Sequence, residues 1–261
     1  MIKIEPIAAF SDNYIWCLYD QERREAAVVD PGDAAPVLEY LQKHQLTLTT
    51  ILITHHHFDH TGGIADLLAA HGSNLPVYGP YSDNIAQITH PLDATSSFEL
   101  FNLHFECLTI PGHTLDHIAL FCPDNAGTPL LFCGDTLFAG GCGRVFEGNP
   151  AMMLKSLEKL ASLPASTLVY CAHEYTLSNL AFAQAVEPDN EQLLQRLQSD
   201  SDKRQQALPT IPSTLALELA TNPFLRCQQP SVIRSASHHS EQACDDPVAV
   251  FAAIRGWKDS F

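Results

Sequence analysis

Ile51-Leu52-Ile53-Thr54-His55-His56-His57-Phe58-Asp59-His60-Thr61-Gly62-Gly63 reads as a buried strand that ends in a cluster of imidazoles. Four metal-capable side chains, His55, His57, Asp59 and His60, fall within six residues. Hydrophobic cores are not built this way, because every buried imidazole needs a hydrogen-bond partner. In an extended loop alternate side chains point the same way, so His55 and His57 can share one ion. Asp59 and His60, one turn further on, can reach a second. The two glycines lead into a helical pattern over 64–70. The stretch is therefore half of a two-metal hydrolytic site, and the remaining ligands must arrive later in the chain.

Working outward, short apolar runs over 14–19 and 26–29 predict paired strands, and the spacing over 34–44 predicts a helix with Val37, Leu38 and Leu41 on one face. Further strands are predicted at 51–54, 76–79, twice within 98–110, and at 118–122, 130–133 and 168–171, with a helix over 152–163. Several of these strands finish just before a potential ligand: His55, His113, Asp135 and His173. Strand ends gathered on one sheet edge are where rigid scaffolds present reactive groups. Asp135, flanked by Gly134 and Thr136, is the obvious carboxylate to bridge two ions. The set becomes His55, His57, His113 and Asp135 on one ion, and Asp59, His60, His173 and Asp135 on the other. Nitrogen and oxygen donors without thiolate suit Zn²⁺, and also Fe or Mn. Two divalent ions, two carboxylates and a bridging hydroxide leave a positive site, which keeps the water acidic near neutral pH. Asp59 and Asp135 are thus the carboxylates expected to serve catalysis. His56 and His117 are expected to support neighbouring ligands, and His44, His71, His90, His104, His238 and His239 carry no assignment.

After Tyr175 the texture changes. Helical periodicity over 176–186, 191–207 and 247–257 is punctuated by Pro188, Pro209, Pro212, Pro223 and Pro230. The expected organisation is an α/β catalytic domain over 1–173 and a smaller helical, substrate-binding domain over 174–261. The formal charge is −16, from 14 Lys plus Arg against 30 Asp plus Glu. Such a surface disfavours nucleic acid and anionic lipid, while a small anionic substrate would require a local basic patch. No apolar run approaches the ~20 residues that span a bilayer, and no leader pattern opens the chain. A soluble, cytoplasmic monomer is expected, with its eight irregularly spaced cysteines reduced and buried.

The motifs Thr54–Gly63, Pro111-Gly112-His113-Thr114-Leu115-Asp116-His117, Phe132-Cys133-Gly134-Asp135-Thr136 and Cys171-Ala172-His173-Glu174-Tyr175-Thr176 resemble those of the metallo-β-lactamase superfamily. Gly141-Cys142-Gly143-Arg144 and the tail Arg255-Gly256-Trp257-Lys258-Asp259 narrow the resemblance to the glyoxalase II (hydroxyacylglutathione hydrolase) family. That resemblance implies a four-layer αββα sandwich followed by a helical domain. It also implies hydrolysis of the thioester of S-D-lactoylglutathione, the second step of methylglyoxal detoxification. Arg255 and Lys258 would grip the glycine carboxylate of glutathione, with Arg144 and Tyr175 as further substrate contacts. Two positions depart from the family pattern: Phe146 replaces a tyrosine found in some members, and Asp116 a glycine found in many.

Other readings remain in view. A lactonase-like hydrolase lacks reason for the Arg255 and Lys258 tail, and Asp135 replaces the cysteine ligand of zinc β-lactamases. The acidic charge disfavours the tRNA-processing nucleases. A persulfide dioxygenase would hold a single iron, and a glutathione-sensing protein would bind metal without turnover.

Overall fold

The computed structural model describes residues 2–261. Backbone contacts divide the chain into two compact units, one made of the chain up to Thr109 together with Asp116–Gly134, the other of Ile110–Leu115 and Asp135–Phe261.

In the first unit, β1 (Lys3–Ala9), β2 (Asn13–Asp20) and β3 (Glu25–Val29) form an antiparallel meander, and β4 (Thr47–Leu52), β5 (Val77–Pro80) and β6 (His90–Leu92) continue the sheet in parallel. The helix α1 (Ala34–His44) connects β3 to β4. It starts on Asp33, whose carboxylate accepts from the Ala35 amide at 2.9 Å, and stops where Gln45 turns left-handed. The helices α2 (Phe58–Thr61) and α3 (Ile64–His71) lie between β4 and β5.

Both faces of this sheet are dry. Cys17, Val28, Ile51 and Ile53 pack with Val37 and Leu41 of α1 and Ile64 and Leu67 of α3. The alternate residues Trp16, Leu18, Ala27 and Leu52 are equally buried, which explains why β3 and β4 read as continuous apolar runs rather than alternating ones. A fully buried Leu or Ile contributes about 1.5–3 kcal/mol. A second, antiparallel set, β7 (Ser97–Leu100), β8 (Leu103–Thr109), β9 (Ile118–Asn125) and β10 (Thr128–Gly134), faces the first. Tyr78 of β5 stacks on Phe98 of β7 at 4.7 Å, and Phe98 stacks on Phe105 of β8 at 5.3 Å.

The parallel register sets the site. Val29 pairs with Leu52, and Leu52 with Tyr78, so the loops after β3 and β4 leave from one edge. Gly32 is required there, since a Cβ on it would lie 1.8 Å from the carbonyl oxygen of Asp59.

The second unit holds the short hairpin β11 (Leu137–Phe138) and β12 (Gly141–Cys142), then α4 (Pro150–Ala161), β13 (Leu168–Cys171), α5 (Thr176–Val186), α6 (Glu191–Gln205), β14 (Ser213–Thr214), α7 (Leu215–Thr221), a 3-10 turn at Pro223–Leu225, α8 (Pro230–Ser240) and α9 (Pro247–Ser260). Asp246 caps α9 on the Ala249 amide, Pro247 begins it, and Val250, Phe251, Ile254 and Arg255 form its buried face.

The strand and helix patterns read from the sequence all have counterparts, displaced by a few residues at most. The one-turn α2 differs from the extended loop expected beyond His57. The short β6, β11, β12, β14 and α7 carry too few residues for a period to register, while β1, interrupted by Pro6, and the largely polar α8 were also not anticipated. Seven of the eight cysteines are buried and Cys244 is half-buried. No helix among the described residues is long and apolar enough to cross a membrane.

Candidate metal centre and substrate pocket

Four of the expected ligands lie in the first unit. His55 and His57 face each other, Nε2 of one 3.1 Å from Nδ1 of the other. Asp59 and His60 form a second pair, with Oδ2 and Nε2 3.4 Å apart. The single turn of α2 produces this division. His57 precedes the helix with extended backbone, and the next residues rotate away with the helical turn.

The nitrogens turned the other way are fixed by a buried network. Asp30 accepts the Thr54 amide at 2.8 Å and the Thr54 hydroxyl at 2.7 Å, and its Oδ2 lies 3.0 Å from His60 Nδ1. A carboxylate that already accepts twice must accept again, so His60 carries its proton on Nδ1 and keeps the Nε2 lone pair. The Thr54 hydroxyl gives its proton to Asp30 and lies 3.0 Å from His55 Nδ1. His55 therefore also bears an Nδ1 proton and presents Nε2. Asp30, His55 and His60 also lie close together, but His60 meets Asp30 through its protonated Nδ1 and His55 turns its own Nδ1 to Thr54. The trio orients ligands rather than holding an ion.

Asn13 extends the network by donating to Asp59 Oδ2 at 3.0 Å. Sequence reasoning missed Asn13, Asp30 and Thr54 in these roles. Asp30 stands directly before Pro31-Gly32 at a positive φ of 53°, in a fixed turn. His117 touches His55 by its face, stacked at 4.5 Å, while its Nδ1 goes to the Ile118 carbonyl. His56 turns towards Asp116, whose two oxygens lie 2.9 and 3.0 Å from Nδ1. The extra carboxylate at 116 is thus engaged by a histidine of the metal loop.

The other three expected ligands lie in the second unit. Asp135 is 7% exposed, and its oxygens are divided: Oδ2 lies 3.4 Å from His113 Nε2, and Oδ1 3.3 Å from His173 Nε2. His113 Nδ1 donates to the Arg144 carbonyl at 2.8 Å, which leaves Nε2 as the ligating atom. Gly143 makes this approach feasible, since a Cβ there would sit 1.9 Å from the Asp135 carbonyl oxygen.

His113 and Asp135 open onto a cavity of about 390 Å³ whose walls include Arg144, Phe146, Tyr175, Arg255 and Lys258. The Tyr175 ring stacks on His173 at 4.7 Å. Phe146, 62% exposed, sits edge-on to His113 at 5.3 Å. Lys258 is held below the usual lysine range, first by burial and then by the neighbouring Arg255 charge. Arg255 is more committed than sequence alone suggests. One Nη donates to the Cys142 carbonyl at 2.9 Å, the other to Asp259 at 3.1 Å, and the guanidinium lies 5.1 Å from the Phe224 ring centroid. Asp259 also pairs with Arg144 at 3.3 Å. Burial pushes the Cys142 thiol up to about 11, against the lowering effect of Arg255. Cys142 is therefore a packed neutral thiol rather than a nucleophile.

The class follows from comparison with known proteins. Residues 14–173 match the metallo-beta-lactamase superfamily model, and residues 174–261 match that of the hydroxyacylglutathione hydrolase C-terminus. A solved structure of ETHE1 from Myxococcus xanthus superposes with a TM-score of 0.65 at 23% identity, covering 100% of this chain and 99% of that one. The fold is the metallo-β-lactamase fold with a C-terminal helical region. Hydroxyacylglutathione hydrolase of Nitrosomonas eutropha is 53% identical over the full length of both chains. That of Alkalilimnicola ehrlichii is 55% identical over 99% of each. The chain belongs to the hydroxyacylglutathione hydrolase family.

Proposed function

We propose that the protein hydrolyses S-D-lactoylglutathione and other 2-hydroxyacylglutathiones to the 2-hydroxy acid and glutathione. One observation carries the reading: Asp135, shared between His113 and His173, opens onto the same cavity as Arg144, Tyr175 and Lys258. A ligand carboxylate beside a cationic, aromatic-walled cavity suits a thioester whose tail is an anionic peptide, within a chain of net charge −16.

The donors fit two divalent cations. His55, His57, His113 and Asp135 would hold one, and Asp59, His60, His173 and Asp135 the other. The fit rests on three features: the divided Asp135 oxygens, the His55–His57 and Asp59–His60 pairs, and Nδ1 protons that leave Nε2 lone pairs on His55, His60 and His113. An all-nitrogen and oxygen set suits Zn²⁺, with Fe and Mn accepting the same donors. When bound, such ions supply Lewis acidity that makes water nucleophilic near neutral pH and polarises the thioester carbonyl.

The chain's own residues do the rest. Asp30 and Thr54 hold two imidazoles in the ligating tautomer, and Asn13 holds Asp59. Arg144, Tyr175 and Lys258 receive the glutathione portion, with Arg255 behind them. The leaving thiolate is a good leaving group, with a parent thiol pKa of about 8.5, so no dedicated proton donor is required. Residues 1–173 form the catalytic domain in this reading and 174–261 the substrate-binding domain. The protein acts as a cytoplasmic monomer in the second step of methylglyoxal detoxification. Turnover of S-D-lactoylglutathione by the metal-loaded protein, against a His57→Ala control, is the test. Rates no higher than the control's would rule the reading out.

A further inference from the structure

The glycine-rich hairpin of β11 and β12 forms one wall of the cavity through Phe138, Cys142, Gly143 and Arg144. Two strands of two residues each cannot hold their own shape, and Gly140 sits at a φ of +70°. The wall is instead held by side chains of α5, α7 and α9 and of Asn222, which follows α7. Asn222 Nδ2 lies 2.8 Å from the Gly141 carbonyl and 3.2 Å from that of Phe138. The Gly140 amide donates to Glu218 Oε2 at 2.8 Å. Asn179 donates to the Ala139 carbonyl at 3.2 Å, and Arg255 to that of Cys142 at 2.9 Å. Every residue from Phe138 to Cys142 thus has a backbone group fixed by a side chain from the helical region, Asn222 reaching from the junction between α7 and the 3-10 turn.

Glu218 and Asn222 are fully buried, and a buried carboxylate demands compensation. Arg196 supplies it through Nη2, 2.6 Å from Glu218 Oε1, and is itself tied to Thr221 at 2.7 Å and Asp200 at 3.4 Å. Ser213 donates to the same Glu218 oxygen, and Asn222 reaches the other at 3.2 Å. An ionic core this costly to bury would be dispensable if it only filled space, because apolar residues of similar volume do that as well. Its free hydrogen-bonding capacity is directed at the cavity wall.

We propose that Glu218 and Asn222, backed by Arg196, are positioning residues that hold the Phe138–Cys142 backbone as the wall receiving the peptide portion of the substrate. The proposal rests on the thioesterase reading above. The clamp acts on the Phe138 backbone rather than on its ring, which lies edge-on to His173 at 5.8 Å. Gly143 is pinned separately, by its amide donating to the Thr136 carbonyl at 3.2 Å, and Arg144 then holds His113. Loosening the clamp should therefore weaken substrate binding rather than chemistry.

The test uses full-length, metal-loaded Asn222→Ala and Glu218→Gln. Two substrates are compared, S-D-lactoylglutathione and a truncated lactoyl thioester lacking the γ-glutamyl and glycyl groups. The KM for the glutathione thioester should rise about tenfold, as expected for lost hydrogen bonds to a binding wall. The kcat, the metal bound per chain, and turnover of the truncated thioester should stay within about twofold. An unchanged KM, or equal losses on both substrates, overturns the proposal. Amide exchange in the wild-type protein adds a measurement independent of whether either variant folds. The Gly140 amide should exchange as slowly as core-strand amides, and exchange at the rate of an exposed loop overturns the clamp. A wild-type protein inactive on S-D-lactoylglutathione would instead sink the thioesterase reading, leaving the Gly140 result to judge the clamp.

Discussion

Asp30→Asn changes one atom and should disable one ion site. Asp30 accepts three times, from the Thr54 amide at 2.8 Å, the Thr54 hydroxyl at 2.7 Å and His60 Nδ1 at 3.0 Å. The amide keeps one acceptor oxygen, enough for the Thr54 amide, and turns a donor towards His60. His60 Nδ1 must then accept, its proton moves to Nε2, and the lone pair facing Asp59 is lost. Partners behind a metal ligand are worth roughly 10–100-fold in metal affinity, or about 1.4–2.7 kcal/mol at the usual conversion. The loss should fall on the ion that Asp59 and His60 would hold. His55 is affected less, because its Nδ1 contacts the Thr54 hydroxyl rather than Asp30 directly. The assay is stepwise competition of zinc against a chromophoric chelator, with the apo protein's Tm as a control for folding. One dissociation constant should weaken into that range while the other moves by less than about threefold. Two unchanged constants, or equal weakening of both, would refute the tautomer argument.

Other consequences follow from the same geometry. Asp116→Gly removes the tie to His56, whose ring packs edge-on to His57 at 5.2 Å. Zinc affinity of the first site should fall by several fold, and Asp116→Asn, which keeps an acceptor, should restore most of it, read by the same competition. Gly143→Ala drives a methyl to 1.9 Å from the Asp135 carbonyl; a destabilisation of about 1–3 kcal/mol or more is expected from thermal denaturation. Lys258 is held below the usual lysine range by burial and by Arg255. Its charge is present at neutral pH and lost as pH rises through that lowered pKa, so KM for the glutathione thioester should climb in alkaline buffer, and Lys258→Arg should flatten the climb. The folded state releases this proton at a lower pH than the unfolded chain, so the group's own contribution to stability increases with pH across that window, opposite in sign to its effect on binding. Phe146→Tyr places a hydroxyl at the cavity mouth and should lower KM two- to tenfold, roughly the worth of one neutral hydrogen bond, measured in steady-state kinetics.

The candidate metal ligands stood out because their chemistry is rare: an H-x-H-x-D-H run after an apolar strand has no ordinary packing use. The β2, β3 and β4 strands and α1 were legible because burial gives them a clear period. Asp30 and Thr54 were not, since a turn aspartate and a strand-end threonine are common and only tertiary geometry brings them to His60 and His55. Glu218 and Asn222 were invisible for the same reason. Glu218 lies in the short α7 and Asn222 just after it, both 75 or more residues from the carbonyls and amide they hold. Arg255 was expected as a substrate contact from the family resemblance, its spacing to Lys258 adding only that the two share a helix face. The spacing does bring both to one cavity, but helix periodicity cannot show that the guanidinium already serves Cys142 and Asp259.

The central claim is that two ions, with Asp135 among the residues that would hold them, would make this chain a glutathione thioesterase. The most direct measurement titrates metal-free protein with Zn²⁺ while recording bound metal and S-D-lactoylglutathione turnover on the same samples. The account predicts activity that saturates at two ions per chain, and an Asp135→Ala protein that binds neither tightly and does not turn over. Full activity at one ion per chain, or oxygen consumption with glutathione persulfide by a one-iron form in place of thioester cleavage, would contradict it.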